Sequence, residues 1–156
     1  LERIRAEKEK LIKEGKIKKE KNPSVIFRGA DNLPYEKIGK NDPVCIADEV
    51  PFEIPESWEW VRLGNLTYNH GQKKPSSEFC YIDIGSIDNQ HQRLNEKETI
   101  VAPENAASRA RKIVKTGDIL YSTVRPYLHN MCIIDREFTK EPIASTGFAV
   151  LKCCAD

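Results

Sequence analysis

The chain has 156 residues, 39% of them hydrophobic and 31% charged, with a formal net charge of +1. A single core typically forms at roughly 100 to 150 residues, so a second full-sized domain is not expected. No apolar run approaches the ~18 residues of a spanning helix and the first residues carry no signal-peptide stretch, so membrane insertion is excluded and a cytoplasmic chain is expected.

The net charge hides three segments. Residues 1 to 22 hold nine Lys/Arg against five Glu, residues 23 to 59 hold three basic against eight acidic residues, and residues 60 to 156 hold thirteen against eleven. Arg109, Arg111, Lys112, Lys115 and Arg125 face only Asp118 in their stretch, and a local positive patch of this kind can bind phosphates whatever the net charge. Five cysteines without a C-x-x-C pair, and three separated histidines, favour neither a zinc site nor a disulfide framework.

Residues 1 to 21 are rich in strong helix formers, with Glu9–Lys13 and Glu14–Lys18 spaced as i, i+4 pairs, and predict a helix. Leu1, Ile4 and Leu11 fall at a, d and d of a heptad, with Lys8 at the intervening a position. A stripe so narrow, on so short a helix, needs a partner helix to be stable in water; the alternative is a solvated charged helix.

Prolines at 23, 34, 43, 51 and 55 interrupt residues 22 to 57, which predict an ordered linker or long irregular loop. Its acidity argues against a course along DNA phosphates. From residue 58 the pattern turns to strands: Trp58 to Leu63, Phe79 to Ile84, Asp118 to Val124, Met131 to Ile134 and Gly147 to Lys152. Residues 103 to 111 open with a proline suited to a first helical turn and predict a short helix. Lys115-Thr116-Gly117 predicts a turn in which Asp118 caps backbone donors. The chain begins inside a helical pattern and stops after a strand-like run, and so reads as a piece of something longer.

Catalytic motifs are missing. There is no G-x-x-x-x-G-K-[ST] loop, no G-x-G-x-x-G after a strand and no G-x-S-x-G elbow, and the single Glu-x-Lys lies inside the charged helix rather than among clustered carboxylates.

Pro51-Phe52-Glu53-Ile54-Pro55-Glu56-Ser57-Trp58-Glu59-Trp60-Val61-Arg62-Leu63-Gly64 resembles the opening of a target recognition domain in the specificity subunit of type I restriction-modification systems. The upstream helix with its Glu-Gly-Lys-Ile-Lys-Lys-Glu-Lys tail resembles that family's central helix, and Ile26-Phe27-Arg28-Gly29-Ala30-Asp31-Asn32 the connector after it. Ala107-Ser108-Arg109-Ala110-Arg111-Lys112, Gly117-Asp118-Ile119-Leu120-Tyr121-Ser122, Val124-Arg125-Pro126-Tyr127 and Ile143-Ala144-Ser145-Thr146-Gly147-Phe148 also fit. The resemblance implies an α+β chain: a coiled-coil-type spacer helix over 1–21, a Pro-rich acidic connector over 22–57, and a mostly β recognition domain over 58–156, truncated at its C-terminus. It implies a non-catalytic reader of one half of a bipartite site in double-stranded DNA. Its partners are then methyltransferase and restriction subunits, to which S-adenosylmethionine, ATP and Mg²⁺ belong. The rival reading is a truncated interaction module that binds partner subunits without reading DNA.

The family's base-contacting residues vary with the target, so candidates come from residue chemistry. Gln72, Asn89, Gln90, Gln92 and Arg93, in polar loops at strand ends, are of the types that pair with adenine or guanine edges; ordinary solvated loops are the alternative. Lys73, Lys74, Arg109, Arg111, Lys112 and Arg125 are candidates for phosphates, with 109, 111 and 112 sharing a helix face and Arg125 extended because proline follows it. Leu1, Ile4 and Leu11 are the candidate partner-helix surface. Trp58 and Trp60, on one strand face, are expected to anchor the connector.

Overall fold

The computed structural model describes residues 1–154, so the last two residues of the expected recognition domain lie outside the described residues. Two compact units make up the chain, one of residues 1–67 with Cys154 and one of residues 68–153. Among the described residues, no helix is long and apolar enough to cross a membrane.

In the first unit, α1 (Glu2–Lys13) stops well short of the expected residue 21. The reason is Gly15, whose φ of +71° breaks the helical course at no steric cost. The expected helical pair of Glu14 with Lys18 is replaced by Glu14 with Lys16 at 2.7 Å. Lys8, which interrupts the heptad seam, donates from Nζ to the carbonyls of Gly64 and Asn65 at 3.0 and 3.1 Å and pairs with Glu20 at 2.5 Å. Leu1, Ile4 and Leu11 are half-buried, and no residue of α1 is fully buried.

The proline-rich segment is not an irregular loop. It folds as a three-stranded antiparallel sheet of β1 (Ser24–Arg28), β2 (Pro34–Ile38) and β3 (Val44–Cys45), with Ile26 opposite Glu36 and Tyr35 opposite Cys45. Its prolines punctuate rather than break it: Pro23 and Pro43 precede strands and Pro34 is the first residue of one, positions that need no amide donor. At the β1–β2 turn a side chain on Gly29 would come within 2.6 Å of the Tyr35 ring, which explains a glycine there. Asp31 closes the same turn, accepting from the Leu33 amide at 3.1 Å and the Tyr35 hydroxyl at 2.8 Å.

Residues 58 to 62 form no strand, contrary to expectation. The Trp58 amide is consumed in closing a turn on the Pro55 carbonyl at 2.9 Å, and its ring is 67% exposed. Trp60 is half-buried, its ring 5.3 Å from that of Phe52, which is itself 62% exposed, so this ring pair packs within the first unit and not on a buried core cluster. A single helical turn, α2 (Leu63–Leu66), follows.

The second unit begins within β4 (Thr67–Tyr68) and continues through β5 (Phe79–Ile82), β6 (Ile87–Asp88), β7 (Arg93–Leu94), β8 (Ile100–Val101), β9 (Ala110–Ile113), β10 (Ile119–Ser122), β11 (Met131–Ile133), β12 (Glu141–Ser145) and β13 (Phe148–Cys153). One sheet has the order β11-β10-β13-β4, a second β8-β5-β12-β9, and β6 with β7 forms a hairpin. The β5–β12 pairing is parallel and the other registered pairs are antiparallel. The fold is thus α+β, a helix followed by mostly strand, as the resemblance implies.

Both larger sheets feed one core. Ile82 and Ala144 meet Leu120, Cys132, Phe148 and Val150, with Ile87, Leu94, Val114 and Ile134 beside them. Alternation explains the choice, because Leu120 and Ser122, or Phe148 and Val150, point to the same face of their strands. Each of these large apolar side chains contributes about 1.5 to 3 kcal/mol on burial.

The turn before β10 forms as predicted. Gly117 takes φ +84°, and the fully buried Asp118 accepts the Lys115 amide on Oδ2 at 2.8 Å while its Oδ1 lies 3.1 Å from His70 Nε2. The predicted helix over 103–111 shrinks to a single 3-10 turn, Pro103–Asn105. Backbone pairing of β9 with β12 overrides the local helix propensity of Ala-Ser-Arg-Ala-Arg.

Candidate nucleic-acid interface

The candidate base-reading residues 86–93 lie on the β6–β7 hairpin, in which Ile87 faces Leu94 and Asp88 faces Arg93. The apolar pair is buried and holds the hairpin to the core, leaving residues 89–92 as an exposed tip. Asp88 organises that tip. Its Oδ1 accepts the amides of Gln90 and His91 at 3.1 Å each, and its Oδ2 lies 2.7 Å from His91 Nδ1 and 3.7 Å from Arg93 Nε. The His91 ring first, then the backbone amides, hold the Asp88 carboxyl below its ordinary range. Gln90 stays exposed on a backbone held by these bonds, and Gln92 is exposed two residues on, at φ +53°. An amide side chain on a fixed backbone loses less freedom when it binds a base edge.

Asn89 has a different position from its neighbours. Its Nδ2 donates to the Leu128 carbonyl at 3.0 Å, tying the hairpin to residues 124–129. That second loop is clamped at its base. Ser122 Oγ donates to the Val124 carbonyl at 2.8 Å and accepts its amide at 3.2 Å, Thr123 bonds the Gly147 carbonyl through both amide and hydroxyl, and the Ser122 amide bonds the Asn130 carbonyl. The tip is a 3-10 turn, Pro126–Leu128, flanked by Arg125 at φ +50° and His129 at φ +53°.

Arg125 is therefore left-handed and not extended as expected. The turn needs this geometry so that the Leu128 amide can reach the Arg125 carbonyl at 3.0 Å. Two non-glycine residues held in this region cost on the order of 1 to 3 kcal/mol each, which the clamped base must offset. Tyr127, at the apex, is 71% exposed.

A second cluster forms at the β9 edge. Gln72 pairs with Lys112, the Lys73 amide donates to the Arg111 carbonyl at 2.9 Å and the Ile113 amide to the Gly71 carbonyl at 3.3 Å. Main-chain pairing thus brings Gln72 and Lys73 beside Arg111 and Lys112. Arg111 and Lys112 do not share a helix face, because they are successive residues of a strand and point to opposite sides. Arg109 and Lys74 are exposed, Arg111 donates from Nη1 to the Ala110 carbonyl at 2.9 Å, and Lys73 is engaged by Glu141 at 2.5 Å.

The candidates therefore fall into two groups: Asn89, Gln90, Gln92, Arg93 and Arg125 on two linked loops, and Gln72, Lys73, Lys74, Arg109, Arg111 and Lys112 around one sheet edge. Tyr127 and His129 were not among the sequence candidates. Their only signal is the Arg-Pro-Tyr run, which marks a turn but not an exposed aromatic apex.

No family model matches the chain. It is 33% identical over 135 residues to the type I restriction enzyme EcoAI specificity subunit of Escherichia coli, covering 83% of this chain and 20% of that protein. To the EcoEI specificity subunit of the same organism it is 30% identical over 134 residues, covering 81% of this chain and 19% of the relative. The chain spans about a fifth of the length of these curated relatives. Among solved structures, the HsdS subunit from Thermoanaerobacter tengcongensis superposes with a TM-score of 0.60 at 33% identity over 67% of this chain and 27% of that one. A chain from a structural study of complex assembly and conformational transition of the type I R-M system gives 0.59 at 34% identity, over 66% and 27%.

Proposed function

Because the chain belongs to the type I restriction enzyme specificity subunits, we propose that it reads one half of a bipartite site in double-stranded DNA and directs methyltransferase and restriction subunits to that site. The observation that carries this reading is the β6–β7 tip, where Asp88 fixes the backbone and leaves Gln90 and Gln92 exposed. Amide side chains presented in this way match adenine edges in a major groove, and the cations around β9 match phosphates.

The chain acts without catalysis of its own, and S-adenosylmethionine, ATP and Mg²⁺ are bound by the partner subunits. α1 serves assembly, since Leu1, Ile4 and Leu11 leave a partly uncovered apolar seam. Selection of duplexes from a randomised library by the purified chain tests the reading. A single short half-site is the expected outcome, and recovery of unselected sequences overturns it.

A further inference from the structure

Resting on the reading of this chain as a duplex binder, we propose that the tip Pro126–Leu128 is a wedge that inserts between base pairs beside the step read by Gln90 and Gln92, with Arg125 and His129 on the flanking phosphates. Four observations support the proposal. Tyr127 and Leu128 are 71% and 40% exposed at the apex of a turn, an arrangement that leaves apolar surface in water. The turn is stiff, clamped through Ser122, Thr123 and Asn130 and held in two left-handed residues, as a side chain driven into a base stack requires. No carboxylate occurs in the sequence between residues 119 and 134, so Arg125 and His129 flank the apolar tip in a stretch that carries no acidic residue. The Asn89 side chain holds the tip against the candidate reading hairpin, so both reach the same stretch of duplex.

Proteins that bend duplexes use this combination: proline, leucine or aromatic side chains unstack one step while neighbouring cations hold the backbone on either side. Flexible pyrimidine–purine steps open most easily, so the wedge adds a preference at a position that no side chain contacts by hydrogen bonds. In this arrangement Asn89 is a positioning residue and not a base reader, because one of its amide hydrogens is already committed to Leu128.

The test uses duplexes carrying the selected half-site, with 2-aminopurine placed at each step in turn. Binding of the unmodified chain should raise 2-aminopurine fluorescence several-fold at one step and leave the others unchanged. Tyr127→Ala should abolish that signal and weaken binding about tenfold while the slope of affinity against salt stays the same; Tyr127→Phe should retain both. Circular dichroism melting separates a misfolded variant from a folded one that has lost the wedge, and folded Leu128→Ala, which removes the tip's other exposed apolar side chain, should likewise lower the signal. A fluorescence signal that persists in folded Tyr127→Ala, or the absence of any signal with intact binding, overturns the wedge and leaves duplex reading standing. Intact binding of Tyr127→Ala with lost assembly to the methyltransferase subunits makes the tip a protein contact and also overturns it. Failure of the unmodified chain to bind any duplex removes the duplex reading itself.

Discussion

Arg62 grips both oxygens of Glu36, with Nε 3.0 Å from Oε1 and Nη2 2.5 Å from Oε2, and the same Nη2 reaches Glu49 at 2.8 Å. Glu36 is buried in β2, whereas Arg62 belongs to the segment that resembles the start of a recognition domain. The conspicuous arginine of that segment is thus a structural residue, holding the first unit's sheet to the chain that leaves it.

Acid should weaken the first unit through this pair. Arg62, then Ser24, hold the Glu36 carboxyl down at about 2, against about 4.3 in an unfolded chain. A depressed carboxyl contributes stability above its unfolded value and loses it as pH falls toward the folded one, so the loss lies between about pH 4.5 and 2. Both tryptophans, Trp58 and Trp60, lie in this unit, so their fluorescence in urea follows it alone. Glu36→Gln should lower stability at pH 7 by about 1 kcal/mol, a modest figure because Arg62 is partly exposed, and should flatten the acid dependence.

Thiol labelling should sort the cysteines. Cys45 and Cys153 are exposed, whereas Cys80 and Cys132 are buried, and burial pushes the Cys132 thiol up to about 11. The thiolate is the reactive form, so a maleimide at pH 7.5 should modify Cys45 and Cys153 within minutes and reach Cys80 and Cys132 only on unfolding. Rapid modification of Cys132 in native protein, seen by peptide mass spectrometry, would contradict the core.

The helix should behave as an assembly surface. Leu11→Glu places a charge on the seam of α1 and should abolish co-elution with methyltransferase subunits in size-exclusion chromatography, while the second unit's melting is unchanged. Unaltered co-elution refutes the assignment.

Base reading and phosphate holding should fail differently. Gln90→Ala or Gln92→Ala should relax preference at one base pair, a change of about 1 to 3 kcal/mol in discrimination. Arg111→Ala should weaken all duplexes alike and reduce the salt slope by about one. Lys73→Ala should change less, because Glu141 already holds that ammonium group. A change in base preference with Arg111→Ala, and only uniform weakening with the glutamine variants, reverses the roles.

Period-two alternation makes much of the second unit legible, as Cys80 with Ile82 and Phe148 with Val150 illustrate. The three-stranded sheet of the first unit is hidden because prolines at strand ends look like breakers when partner strands are not visible. Arg111 and Lys112 mislead because their local propensity is helical and their strand exists only through pairing with β12, some thirty residues later. The polar tip at 89–92 is readable from composition, but its tie from Asn89 to Leu128 spans 39 residues and comes only from the fold.

Duplex reading by this chain is tested most directly by measuring affinity for one selected duplex across a series of salt concentrations. Lys74, Arg109, Arg111, Lys112 and Arg125 are the cations placed to meet phosphates once Lys73 is assigned to Glu141. At about −0.9 per phosphate, the logarithm of affinity should fall against the logarithm of salt with a slope of about −4.5. A flat response, or no binding of any duplex at low salt, contradicts duplex reading and favours a chain that binds only its protein partners.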